Sequence, residues 1–132
     1  MLTITINSFS FLYGSAPIDY SGNGGGFVFD CRALPNPGRY EKFKTLSGKD
    51  EAVREYLETE PEVISFLNSV FVLVSQSINK YSQRGFTNLM VSFGCTGGQH
   101  RSVFAAEQLA QYVKDNFEIN INLVHLREET WR

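Results

Sequence analysis

Eight consecutive residues carry most of the chemistry this sequence offers: Cys95, Thr96, Gly97, Gly98, Gln99, His100, Arg101 and Ser102. They follow an apolar run ending at Gly94 and lead into a helical pattern. A strand, a glycine-rich turn and a helix start gather unpaired backbone N–H groups around one point, and the helix dipole adds partial positive charge there. Gly97 and Gly98 let the main chain approach an anion with no side chain in the way. Thr96 and Ser102 add hydroxyl donors, Arg101 suits bidentate contact with phosphate, and His100 can donate or titrate. Thr96 to Ser102, Gln99 included, are therefore the candidate phosphate-binding residues.

The same stretch has a second chemical reading. Cys95, five residues and then Arg101 and Ser102 is the spacing of the cysteine-dependent phosphatase loop, in which backbone N–H groups lower a thiol pKa and the sulfur attacks phosphorus. Two features weigh against a catalytic Cys95. Gly94 stands where those enzymes usually carry histidine, and two adjacent glycines follow closely. A small buried residue at a strand end is the competing role for Cys95, and it ranks first. A Walker A loop is excluded, because no lysine precedes Ser102.

Composition narrows the setting. The chain has 132 residues, 42% hydrophobic and 20% charged, which suits one globular domain over residues 1–132. A net charge of −2 gives no bulk attraction to nucleic acid. The N-terminus does not read as a signal peptide, and no stretch is expected to reach the apolar length of a membrane span. Two cysteines, Cys31 and Cys95, make neither a disulfide framework nor a metal-ligand set. A cytoplasmic protein with no metal and no cofactor is the expectation.

The elements that must position the turn are legible as periodicities. Leu2 to Ile6 alternates as a strand. Tyr20 to Gly26 is a glycine-rich loop, and it precedes a strand instead of opening a helix, so it is no dinucleotide fingerprint. Phe27 to Arg32 reads as a buried strand. Ser47 is placed as the cap of a short helix carrying Val53, Tyr56 and Leu57 on one face. Thr59 and Glu62 match a capping box, with Pro61 in the first turn of a long helix. Val63, Leu67, Val70, Val74, Ile78 and Tyr81 recur at helical spacing along it, and Gly85 marks its end. Leu89 to Gly94 is a third strand. Val103, Ala106, Leu109, Ala110 and Val113 form another helical stripe, and Ile121 to Leu126 is the last strand.

Strands separated by helices predict an α/β fold: a mainly parallel sheet of about four strands, helices on both faces, and the phosphate-binding loop after the third strand. Sites in such sheets lie beyond the C-terminal strand ends. Asp30 and Arg32, the 95–102 turn, and His125 with Arg127 would meet there. His125 and Arg127 are expected to alternate along the last strand and share a face. Lys42, Lys44 and Lys49 read first as a solvated face and second as a basic rim. Trp131 reads first as an anchor for a loose segment and second as a stacking platform.

Several stretches together resemble one family. "SFSFLYG", "FVFDCRALPNP", "LSGKDEAVREYL", "PEVISFL" and "FGCTGGQHRSVFAAEQLAQYV" occur in the order of the C-terminal domain of the RapZ (RNase adapter protein) family, from about Ser8 to the last strand. The resemblance implies binding of glucosamine 6-phosphate through the glycine-His-Arg turn, binding of structured small RNA, and self-association. It also implies a P-loop nucleotide-binding half in the full-length family proteins, and a separate P-loop protein is among the partners to consider. Asp30, Arg32 and Asn36 match the second motif and are expected at the same cleft. Asp30 either recognises a sugar hydroxyl or ammonium group or fixes Arg32; both readings stay open. "REETWR" departs from the clustered basic residues of the family, and this places RNA binding furthest from the residues at hand. The function expected is a phosphometabolite sensor or adapter, with the cysteine phosphatase as its alternative.

Overall fold

The computed structural model describes residues 1–23 and 25–132. The loop expected from Tyr20 to Gly26 is thus described except at Gly24, which lies outside the described residues. Four strands, β1 (Thr3–Ser10), β2 (Gly26–Asp30), β3 (Asn88–Cys95) and β4 (Asn120–His125), form one sheet in the order β2-β3-β1-β4. Every pairing is parallel, as the alternation of strands and helices predicts. Three helices accompany it: α1 (Glu51–Glu58), α2 (Pro61–Gln83) and α3 (Arg101–Asn116).

Register sets the core. Parallel pairing aligns Ile4 with Leu89 and Ile121, and Ile6 with Val91 and Leu123, on one face. Phe27 and Phe29 extend that face beside Val91 and Phe93. Val53, Leu57, Val63, Val70, Val74, Ile78, Ala106 and Leu109 from the helices join the same cluster.

The helices therefore share one face, not two. Phe66 of α2 meets Phe29 edge-on with ring centroids 6.1 Å apart. On α3, Glu107 reaches His125, which pairs with Ser8 on that same side. The handedness of the crossovers explains the difference. Going from β2 to β3 and from β3 to β4 moves across the sheet in one direction, so right-handed connections put all three helices together. Going from β1 to β2 moves the other way, and that connection contains no helix among its described residues, so right-handedness sends it across the opposite face.

Two caps differ from expectation. The N-cap residue of α1 is Asp50, not Ser47. Ser47 shapes the turn before the helix: its N–H donates to the Asp50 carboxylate at 2.7 Å, and its hydroxyl accepts from the Lys49 N–H at 3.1 Å. Thr59 makes no capping box, since its hydroxyl donates back to the Tyr56 carbonyl at 3.0 Å and closes α1. Glu60 is the N-cap residue of α2, and Pro61 starts the helix as its missing N–H allows.

By length and apolar content α2 would also pass as a membrane span, contrary to the expectation that no stretch does. Its buried residues fall in a stripe, Val63, Leu67, Val70, Val74 and Ile78, turned to the core, while Ile64, Val72 and Leu73 are exposed. Glu62, Ser65, Asn68, Ser69, Gln76, Asn79 and Lys80 are exposed. That two-faced pattern belongs to a helix packed on a sheet.

Candidate functional site

Beyond the C-terminal ends of the strands lies a cavity of about 410 Å³. The turn over residues 95–101 forms its floor, with all of these residues but Gly98 lining it. The Asn36, Gly38 and Lys44 region makes one wall, Arg127, Thr130 and Arg132 make the other, and Tyr13 stands at the mouth. Four cations line it, Lys44, Arg101, Arg127 and Arg132, and no carboxylate side chain does among the described residues.

The floor follows from the turn that joins β3 to α3. Gly98 adopts φ +71°, a conformation that costs a side-chain-bearing residue about 1–2 kcal/mol. A Cβ there would also meet Arg127 Cγ at 3.0 Å and the Phe9 backbone at 3.2 Å. Gly97 is different: a Cβ added to it meets nothing within 4 Å, because it faces open space. The N–H groups of Gly97, Gly98, Gln99 and His100 donate to no backbone carbonyl among the described residues. They sit at the N-terminus of the 16-residue α3, where the helix dipole favours negative charge.

Arg101 is the first residue of α3 and is only 5% exposed. Its Nη1 donates to the carbonyls of Arg32 at 2.8 Å and Leu34 at 3.1 Å. Its Nη2 approaches Thr96 Oγ1 at 3.5 Å, and its buried Nε has no partner. The guanidinium thus ties the loop after β2 to the turn, and one edge of the fork is already engaged. Arg127 likewise carries a buried Nε without a partner, and its guanidinium lies 5.1 Å from the Tyr13 ring centroid.

His100 is the N-cap residue of α3. Its Nε2 donates to the Phe43 carbonyl at 2.8 Å, since a carbonyl can only accept. Burial pushes its pKa below the usual histidine value, against the opposing pull of that carbonyl. The ring is therefore neutral near pH 7, with Nδ1 turned toward Gly38. Asn36 accepts the Gly38 N–H on its Oδ1 at 3.0 Å, which leaves its NH2 on the cavity side as a donor.

Other sequence-derived candidates lie elsewhere. Ser102 is fully buried, with its hydroxyl 3.1 Å from Cys95 Sγ, and does not line the cavity. Gln99 lines it, but its side-chain NH2 braces the carbonyls of Lys44 and Leu46 at 3.1 and 2.7 Å. Asp30 and Arg32 are outside. Asp30 accepts both Nε and Nη2 of Arg32, the latter at 2.7 Å, and the guanidinium lies 3.9 Å from the Phe11 ring centroid. Of its two readings, Asp30 fits the one that fixes Arg32; this hydrogen bonding also holds its carboxyl below the usual range.

His125 is also away from the cavity. Its Nδ1 meets Ser8 Oγ at 2.6 Å and its Nε2 meets Glu107 Oε2 at 2.7 Å. Arg127 does not alternate with it along β4, because the strand stops at His125 and Arg127 opens a 3-10 turn over Glu128–Thr130. That break carries Arg127 over the turn and into the cavity. Cys95 lines the cavity at 3% exposure. Cys31 follows β2 beside it, buried, with its thiol pKa pushed up by burial.

Tyr13, Gly38, Thr130 and Arg132 are lining residues without a signal in the sequence. Of the three lysines, only Lys44 reaches the cavity; Lys49 pairs with Glu128 at 3.3 Å and Lys42 lies 5.0 Å from the Phe43 ring centroid.

Comparison with known proteins agrees with the motifs. The family model for the RapZ C-terminal domain matches residues 2–129. A nucleotide-binding protein of Bacillus velezensis is 40% identical over 119 residues, covering 90% of this chain and 38% of its own length. One of Tolumonas auensis is 40% identical over 111 residues, covering 84% and 36%. One of Listeria innocua is 38% identical over 122 residues, covering 92% and 40%. The chain thus spans well under half the length of these relatives.

Proposed function

We propose, from the premise that the chain belongs to the RapZ C-terminal domain family, that its cavity binds a phosphorylated small molecule and serves as a sensor or adapter site. One observation carries this reading: four cations face a cavity that no carboxylate side chain lines among the described residues, and two of them, Arg101 and Arg127, hold a buried Nε that no described group accepts. Unpaired buried donors are costly, and an anion with several acceptor oxygens relieves them. The free amides of the turn and the N-terminus of α3 favour the same charge.

A sugar phosphate is the ligand class that fits best. The cavity volume falls within the usual range for small-ligand sites, about 300–1,000 Å³. Asn36 and Thr130 offer hydrogen bonds to hydroxyls. Glucosamine 6-phosphate is the first ligand to test. Its ammonium group finds no carboxylate side chain among the described lining residues, so the phosphate and hydroxyls supply the recognition. The relatives' name adds nucleotides to the panel.

The test is calorimetry with glucosamine 6-phosphate, glucose 6-phosphate, inorganic phosphate and mononucleotides. Saturable heat with the sugar phosphates is expected; no heat with any of them removes the reading.

The contact between Cys95 Sγ and Ser102 Oγ, 3.1 Å apart, favours a second reading, a cysteine-dependent phosphatase, because it places a hydroxyl within hydrogen-bond reach of the candidate nucleophile. Turnover of an aryl phosphate that vanishes in Cys95→Ser would support it. A wild-type protein that binds sugar phosphate without turnover eliminates it.

A further inference from the structure

We infer that Trp131 is a positioning residue for the anion site, acting through its indole N–H. This rests on the reading of the cavity as an anion site. The indole Nε1 donates to the Gly98 carbonyl at 3.0 Å, and the ring lies 5.6 Å from that of His125. His125 is itself held between Ser8 and Glu107, so the indole rests on a fixed support.

Two consequences follow from that one hydrogen bond. The first concerns charge. Trp131 lies between Thr130 and Arg132, four residues after Arg127, and pins this segment against the turn. The Thr130 N–H and hydroxyl both return to the Arg127 carbonyl, at 2.9 and 2.7 Å, so the segment moves as a unit. Anchoring Trp131 therefore holds Arg127 and Arg132 at the cavity wall.

The second concerns the floor. The Gly98 carbonyl and the Gln99 N–H belong to one planar trans peptide and point in opposite directions. Fixing the oxygen on the indole side fixes the N–H on the other side. A hydrogen bond accepted by the carbonyl also polarises the N–H of the same peptide, making it a better donor to an anion. No other described side chain donates to that carbonyl.

The chain has a single tryptophan, so tryptophan emission comes from Trp131 alone. The experiment titrates wild type, Trp131→Phe and Trp131→Ala with inorganic phosphate by calorimetry, and follows wild-type emission in parallel. Trp131→Phe keeps a ring on His125 and removes only the donor. It is expected to bind phosphate about 3- to 10-fold more weakly, the range for losing one hydrogen bond. Trp131→Ala is expected to bind more weakly still, and wild-type emission to change with the same midpoint as the heat.

A wild type that fails to bind phosphate overturns the anion site and this inference with it. A wild type that binds, beside a Trp131→Phe of equal affinity or an emission that ignores phosphate, overturns the inference alone. If Trp131→Ala does not fold, the phenylalanine variant still decides.

Discussion

The two sides of the cavity are held in place by different means. The floor, residues 95–101, is clamped from within the fold. Arg101 crosses to the Arg32 and Leu34 carbonyls, Gln99 holds the Lys44 and Leu46 carbonyls, and the Gly48 N–H donates to the Gln99 carbonyl at 2.9 Å. The outer wall, residues 126–132, hangs on fewer bonds: the indole on Gly98, the Lys49–Glu128 pair and the Leu126 N–H on the Ser8 carbonyl. Both sides present an arginine. On the floor the arginine is part of the architecture, whereas on the wall it is delivered by a short turn. Damage to the floor should therefore appear as lost stability together with lost binding, and damage to the wall as lost binding alone.

Arg101→Ala is the severest way to press that contrast. It strands the carbonyls of Arg32 and Leu34 and removes the innermost cation. A loss of about 2–4 kcal/mol in urea denaturation is expected, with phosphate binding abolished. Arg127→Ala should weaken phosphate binding at least about tenfold, the scale of a charge-assisted hydrogen bond, with a denaturation midpoint close to wild type. A midpoint that falls as far as that of Arg101→Ala would erase the distinction between the two sides.

The paired glycines sharpen it further. Gly98→Ala should cost about 1–2 kcal/mol of stability, from the left-handed backbone alone. Gly97→Ala, whose Cβ meets nothing, should leave stability within about 0.5 kcal/mol yet obstruct the anion. Equal denaturation curves for these two variants would contradict the geometry of the turn.

A gentler effect comes from His100. Its folded-state pKa lies below the ordinary value of 6.5, so the unfolded chain binds the proton more readily. The stabilisation is full above the unfolded value and is lost as pH falls through it toward the folded one. Urea denaturation between pH 5 and 8, an interval of about the usual histidine range, should show this slope in wild type and a shallower one in His100→Asn. The smallest change is expected from Asp30→Asn, whose ion pair with Arg32 is half exposed and outside the cavity; neither the denaturation midpoint nor phosphate affinity should move measurably.

Local pattern made much of the fold legible. Ile4 and Ile6 alternate, Val63 to Ile78 recur at helical spacing, and Gly85 closes α2 with φ +73°. The placement of all helices on one face was not legible, because right-handed connections fix the side of each helix only once the strand order β2-β3-β1-β4 is known. The side chains of the turn were harder. Ser102 and His100 are only two residues apart, yet the rotation of a helix start sends the hydroxyl of one to Cys95 and the ring of the other to the cavity. Arg127 was misplaced because strand alternation was carried two residues beyond the end of β4. Tyr13, Lys44 and Arg132 come together only through tertiary packing, and no spacing in the chain announces it.

Crowding Lys44, Arg101, Arg127 and Arg132 around one cavity also has a thermodynamic side. In the anion-free protein these like charges repel, and that repulsion opposes folding. Raising ionic strength screens it, so an inert salt should firm up the anion-free protein while weakening its hold on phosphate. The two curves, melting temperature and affinity against salt, should run in opposite directions.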